Sequence, residues 1–414
     1  MDLFPHTTQA PPRRHGAGLW AVAFAFLTVL AFSTVPTPLY AIYQARDGFS
    51  TFLITVIFAA YAVGVIVALF FAGHLSDYLG RRRALVPAVL TSVVSAIVFL
   101  LWPNLPGLLV GRVLSGLSVG IVTATATAYL AELHIGEHPG ASTKRAQTLA
   151  TTANLGGLAL GPIVAGVLAA NVAAPLTVPF VLFGALLAIA AIGVALAPET
   201  VTPPPSRPAY HPQRVAVPTE ARGRFFGAAA GVFAGFAAFG LFTSLGPSFL
   251  AGTLGYTSHV LAGVPAFAAF TAAVAAQLAA GGRDPRRLLG TGMAALSAGI
   301  VLVVAATWAP SLALFLAGGV IAGAGSGLLF KGGIVTVSGL AAPERRAEVL
   351  AGFFLAGYVG ISLPVLGLGI LGQFIAPKVA LLAFAVLLLT GIAASARTLL
   401  AGGRTRSLRP IAAT

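Results

Sequence analysis

Two apolar runs of about twenty residues, 51–71 and 84–102, are joined by little more than a polar knot, GHLSDYLGRRR at residues 73–83. Twenty residues is about the length a helix needs to cross ~30 Å of hydrocarbon. The pair therefore reads as two membrane spans meeting in a tight turn, because lipid leaves a chain only helices or closed barrels. Gly73 and Gly80 suit the tight backbone of such a turn. Three consecutive arginines, Arg81 to Arg83, cannot be left in lipid and place the turn on the cytoplasmic side. Asp77 stands where a carboxylate caps a helix start or pairs with an arginine.

The rest of the chain repeats this pattern. Hydrophobic residues make up 58% of the 414 and charged residues 8%, with a mean hydropathy of +0.95, which excludes a soluble globule of ordinary charge content. Apolar runs fall near 17–43, 51–71, 84–102, 107–133, 146–170 and 175–197, and the first is too long for a signal-peptide core. Residues 198–224 then change character, with seven prolines among four arginines, and read as an extended cytoplasmic linker. Six more runs follow near 225–250, 259–281, 288–308, 311–337, 349–374 and 379–400.

The expected architecture is an all-α integral membrane protein of twelve transmembrane helices in two pseudo-symmetric six-helix bundles. Its domains are an N-terminal bundle (1–197), the linker (198–224), and a C-terminal bundle with a basic tail (225–414). On this topology 20 of the 24 basic residues face the cytoplasm and only Arg46 and Lys378 face out. That bias puts both termini inside a plasma or inner membrane. The +14 formal charge is thus an orientation signal, and no nucleic-acid partner is expected. The halves echo one another. Asp284 and Arg286 stand in the place of the first knot, and Glu344, Arg345, Arg346 and Glu348 in the place of Glu132, Lys144 and Arg145. Glu132 and Arg145 are candidate gating residues, with ordinary interfacial pairing as the alternative. Paired halves imply a central site between them.

Cysteine is absent, no span centre carries an acid, and all seven histidines fall in loops, tails or span ends on this reading. No metal site, cofactor or acid–base pair is expected, and an enzyme is disfavoured. Two cations lie within spans. Arg112 shares a helical stripe with Gly116, Val119 and Thr123. An intramembrane cation is a candidate for substrate or proton coupling, the alternative being that it snorkels outward or pairs with Asp47. Lys331 lies near the inner end of span ten and reads as an inward snorkel or a substrate ligand. Thr34, Thr37 and Tyr40 surround Pro36 and Pro38, a break that exposes backbone to a cavity. Phe233, Phe236, Phe239 and Phe242 form a stripe on span seven, for packing or for a hydrophobic ligand wall. In span five, NLGGLALGPIVAG begins at Asn154; Pro162 bends the helix, and Gly157, Gly161 and Gly166 admit close helix packing.

The spacing of Gly73, Leu75, Asp77, Gly80, Arg81 and Arg82 resembles the loop between spans two and three of the major facilitator superfamily, with Ser76 and Tyr78 departing from the usual residues. The resemblance implies alternating access, with Asp77 and Arg81 helping to lock the cytoplasmic side of the two halves. Gly111, Arg112 and Gly116 resemble a second family motif whose arginine is implicated in proton coupling, with Ser115 in place of the usual glutamine. Residues 154–166 resemble the family's antiporter motif, around Gly161 and Pro162.

The resulting expectation is a monomeric secondary transporter that exports small hydrophobic compounds in exchange for protons or another coupling ion. Its weakness is a first span without an acid. The alternatives are an importer or exchanger of a small organic anion, with Arg112 and Lys331 supplying positive field, and a sensor that binds without transport.

Overall fold

A computed structural model describes residues 12–72, 75–201, 212–342 and 345–400. Gly73, Glu344, most of the linker prolines and the basic tail lie outside these. The described residues form helices α1 (Pro12–Thr34), α2 (Pro36–Asp47), α3 (Thr51–Phe71), α4 (Leu75–Leu79), α5 (Arg81–Leu101), α6 (Leu105–Glu137), α7 (Lys144–Asn171) and α8 (Val178–Leu196). After the linker come α9 (Arg222–Gly240), α10 (Gly246–Gly252), α11 (His259–Ala280), α12 (Pro285–Trp308), α13 (Leu312–Ser338), α14 (Arg346–Leu371) and α15 (Pro377–Leu400). Among the described residues, twelve helical segments are long and apolar enough to cross a membrane. Two of them are composite: α1 with α2, and α9 with α10 through a π-helical turn, Leu241–Leu245.

Local chemistry sets these elements and repeats between the halves. Ser50 and Ser258 cap α3 and α11 by accepting from Leu53 N and Leu261 N, each at 3.3 Å. Asn104 and Ser311 do the same for α6 and α13. The first span breaks at Val35, before Pro36, and the seventh is distorted just before Pro247. Caps and breaks therefore recur about half a chain apart, which is the physical form of the repeat.

Each half buries its own apolar core. Between halves, α7 packs on α11 and α3 on α14. Three glycines permit close approach between them near the end remote from the arginine knot. A side chain on Gly166 would strike the His259 carbonyl, one on Gly263 the Pro162 carbonyl, and one on Gly369 the Thr55 side chain.

The structure corrects three local expectations. The knot is not a bare turn, since residues Leu75–Leu79 form a short helix, with Gly80 at φ +102° before α5. Helix α6 continues to Glu137 instead of ending near Leu133, because backbone hydrogen bonding does not stop where the apolar run does. Helix α9 begins at Arg222, taking in the last three residues of the expected linker.

Candidate functional site

Between the halves lies a cavity of about 70 Å³, lined mainly by apolar and aromatic side chains, with most of its polar side chains on the N-terminal half. The C-terminal half contributes aromatic rings. Phe239 stacks on Phe270 with centroids 4.4 Å apart, and Phe236 meets Phe330 at 5.6 Å and Tyr358 at 5.9 Å. The N-terminal half contributes Ser33, Thr34, Thr37, Thr123, Asn154 and Arg112.

Arg112 is 2% exposed and is the one charged side chain that lines this space among the described residues. Its Nη1 donates to the Ser33 carbonyl at 2.6 Å. Pro36 and Pro38 lack the N–H groups that would serve the carbonyls of Phe32 and Thr34. The first span is broken here, beside the Ser33 carbonyl that Arg112 engages. The guanidinium lies 4.7 Å from the Tyr61 ring centroid and 5.6 Å from that of Phe58, contacts worth about 0.5–2 kcal/mol each. It does not pair with Asp47, whose carboxylate accepts from Arg46 at 2.6 and 2.7 Å. Arg112 Nε, Thr123 Oγ1 and Gln277 Nε2 are buried without a hydrogen-bond partner. A buried donor left unpaired costs about 1–3 kcal/mol, so this wall is built for a polar group that it does not itself supply.

The cavity continues as a vestibule toward the arginine knot. Thr123, Asn154, Gln277, Phe330, Phe354 and Tyr358 line both spaces, and Thr127, Gln147 and Thr151 extend the vestibule. At the opposite end the halves are sealed by the glycine contacts and by Ser248 Oγ donating to Gln44 Oε1 at 3.0 Å. The cavity thus extends toward the basic end, while close contacts between the halves lie at the other.

Not every candidate residue reaches the cavity. Lys331 donates from Nζ to the Gln277 carbonyl at 2.6 Å, a cation on the last turn of α11, where the helix dipole favours it. Tyr40 is buried with its hydroxyl unpartnered, outside the cavity wall. Of the phenylalanine stripe, Phe236 and Phe239 line the cavity, while Phe242 packs on Phe315 at 5.8 Å. Gly157 and Gly161 seat α7 on α1, where Thr34 Oγ1 donates to the Leu158 carbonyl at 3.2 Å. Pro162 lies at the seal, against Gly263.

The candidate gating residues gather only in part. The Arg81 guanidinium bonds Glu132 at 2.8 Å, Ser76 Oγ at 2.8 Å, and Asp77. Glu132 also accepts from Thr200 Oγ1. Arg145 is exposed at the start of α7 and takes no part. Glu199 belongs to this knot and was not foreseen: its carboxylate accepts from Arg81 N at 2.8 Å and Arg82 N at 3.1 Å, capping α5. None of these groups belongs to the C-terminal bundle; Glu199 and Thr200 open the linker. Asp284 caps α12 through Arg286 N at 2.7 Å and is no copy of Asp77. The cavity residues Tyr61, Phe270, Gln277, Phe330, Phe354 and Tyr358 were also unforeseen as wall; an isolated Gln or Tyr in an apolar run was the available signal.

Comparisons with known proteins agree with this architecture. The chain is 31% identical over 83 residues to the arabinose-proton symporter of Bacillus subtilis, covering 20% of this chain and 18% of that protein. It is 32% identical over 85 residues to the glucose transporter GlcP of Staphylococcus epidermidis, covering 20% and 19%. The matches thus span less than a fifth of those relatives. Among solved structures, the POT family transporter PepTSo superposes with a TM-score of 0.72 at 12% identity, over 95% of this chain and 98% of that one. The human organic anion transporter MFSD10 (TETRAN) does so with 0.68 at 17% identity, over 94% and 100%. Residues 22–283 match the sequence profile of the Major Facilitator Superfamily; the chain is a multi-pass membrane protein of that family.

Proposed function

We propose that this protein is a secondary transporter of small, largely apolar organic anions, working by alternating access about the Arg112 cavity, with the arginine knot on the cytoplasmic side. The observation that carries the reading is a buried arginine with no carboxylate partner, set opposite an aromatic wall. Burying a cation without a counter-charge is costly, and a bound anion supplies the missing charge while its apolar body meets Phe236, Phe239 and Tyr358. Thr123, Asn154 and Gln277 offer further polar contacts to the same group.

The test compares an aromatic carboxylate with its uncharged amide, using purified protein in detergent. Wild type binds the carboxylate more tightly, and Arg112→Ala removes the preference, a change of about 10- to 150-fold for a hydrogen bond to a charged group worth 1.5–3 kcal/mol. Equal binding of acid and amide by wild type refutes the anion reading, and displacement of the probe by arabinose or inositol points to a polyol carrier.

The second reading is proton-driven export of small uncharged or cationic hydrophobic compounds. Its support is the aromatic wall and the bend at Gly161 and Pro162. The carboxylates nearest the knot, Asp77 and Glu132, are both held by Arg81. Loss of a fluorescent lipophilic cation from cells expressing the protein, abolished by a protonophore, favours this reading over the first.

A further inference from the structure

The last turn of α6 carries a cluster that has no part in the central cavity. His134, Glu137 and His138 stand three and four residues apart, a spacing that places them on one helical face. Each offers one possible ligand atom, and the three atoms lie within 4.8 Å of one another. His134 is 4% exposed, and its Nδ1 is buried with no hydrogen-bond partner. Its ring lies 5.4 Å from that of His138, and His138 Nδ1 is 3.6 Å from a Glu137 oxygen. The start of α1 closes over this face with no room to spare. A side chain on Gly16 would collide with the Glu137 carboxylate, and one on Gly136 with the His15 ring.

Two imidazoles and one carboxylate are the donor set of a borderline transition ion, not of Mg²⁺ or Ca²⁺, which take oxygen ligands. Bonds of about 2.0–2.2 Å to a tetrahedral ion put ligand atoms roughly 3.3–3.6 Å apart, within the 4.8 Å that already encloses the three atoms. We propose that His134, Glu137 and His138 bind one Zn²⁺-class divalent ion at the basic end of α6, with a fourth coordination position left open. None of the three lines the cavity or its vestibule, so the ion is a resident of the fold and not cargo. It braces the end of α6 five residues beyond Glu132, the partner of Arg81.

The experiment is a Zn²⁺ titration of the full chain in detergent against a chromogenic chelator, using protein purified without a polyhistidine tag. Wild type binds one Zn²⁺ per chain and gains thermal stability from it. Glu137→Gln and His138→Ala each weaken binding by at least about tenfold, since loss of a mere outer-shell partner already costs 10–100-fold. Both changes fall on partly or largely exposed side chains, so unfolding in the absence of Zn²⁺ stays near wild type and separates a lost ligand from a misfolded protein. His259→Ala binds as wild type does. The proposal falls if wild type takes up no Zn²⁺ at micromolar free ion, if either α6 variant keeps wild-type stoichiometry and affinity, or if His259→Ala loses the ion.

Discussion

Glu199 and Gly80 work as one device. The Glu199 carboxylate takes the first free N–H groups of α5, where a negative charge also meets the positive end of the helix dipole. Gly80 holds φ +102°, and a methyl group there would collide with that same carboxylate. Glu199→Gln should lower stability by about 1–2 kcal/mol, the ordinary worth of a lost cap. Gly80→Ala should cost more, through both strain and collision. Intrinsic fluorescence of the three tryptophans during thermal unfolding reads both changes, and an unshifted Tm for Glu199→Gln would show that the cap contributes nothing. The pairing of Asp77 with Arg81 was legible because the two are one helical turn apart, whereas Glu199 lies 118 residues from Arg81 and no local pattern links them. Arg112 was legible as a cation deep inside an apolar run. That Tyr61, Gln277 and Tyr358 share its cavity was not, because nearly every face of these helices is apolar and periodicity does not say which one meets the other half.

Among elements, the number and order of spans followed from run length, since hydrocarbon thickness fixes it. The break at Pro36 followed from the missing N–H groups. Helix ends outside the apolar region did not follow, which is why His134, Glu137 and His138 read as separate loop residues until α6 was seen to carry them. The π-helical turn Leu241–Leu245 has no sequence signal beyond the Gly246–Pro247 pair after it. The glycines of α7 show how one residue type serves two roles. A side chain on Gly161 would strike the Ala31 carbonyl and Thr34 Oγ1, while one on Gly156 would meet its first neighbour atom only at 4.0 Å. Gly161→Val should force α1 and α7 apart at an overpacking cost of about 1–3 kcal/mol or more. Gly156→Ala should be neutral or slightly stabilising, because it fills open space and favours the helix. Expression level and Tm of the two variants check the contrast, and equal behaviour would mean that the α1–α7 contact is not a tight one.

For the whole molecule, the cavity's charge sets a condition on turnover. Under the proposed anion transport, alternating access passes through a state in which both ends are closed around Arg112. No acid lines the cavity among the described residues, so the empty protein would have to occlude a cation balanced only by the Ser33 carbonyl and two rings. With an organic anion bound, that charge is met. The empty return step should then be the slow one, because an uncompensated buried charge costs several kcal/mol and each 1.4 kcal/mol is a factor of ten. Proteoliposomes loaded with the transported anion should therefore exchange it for external labelled anion about tenfold faster, or more, than they release it into anion-free buffer. In Arg112→Gln the two rates should converge, with exchange falling toward net release, since the variant has no charge to neutralise. Net release as fast as exchange in wild type would mean that Arg112 finds its counter-charge within the protein during the return, and would place the coupling group elsewhere, with Asp77 and Glu132 of the Arg81 knot the first to examine.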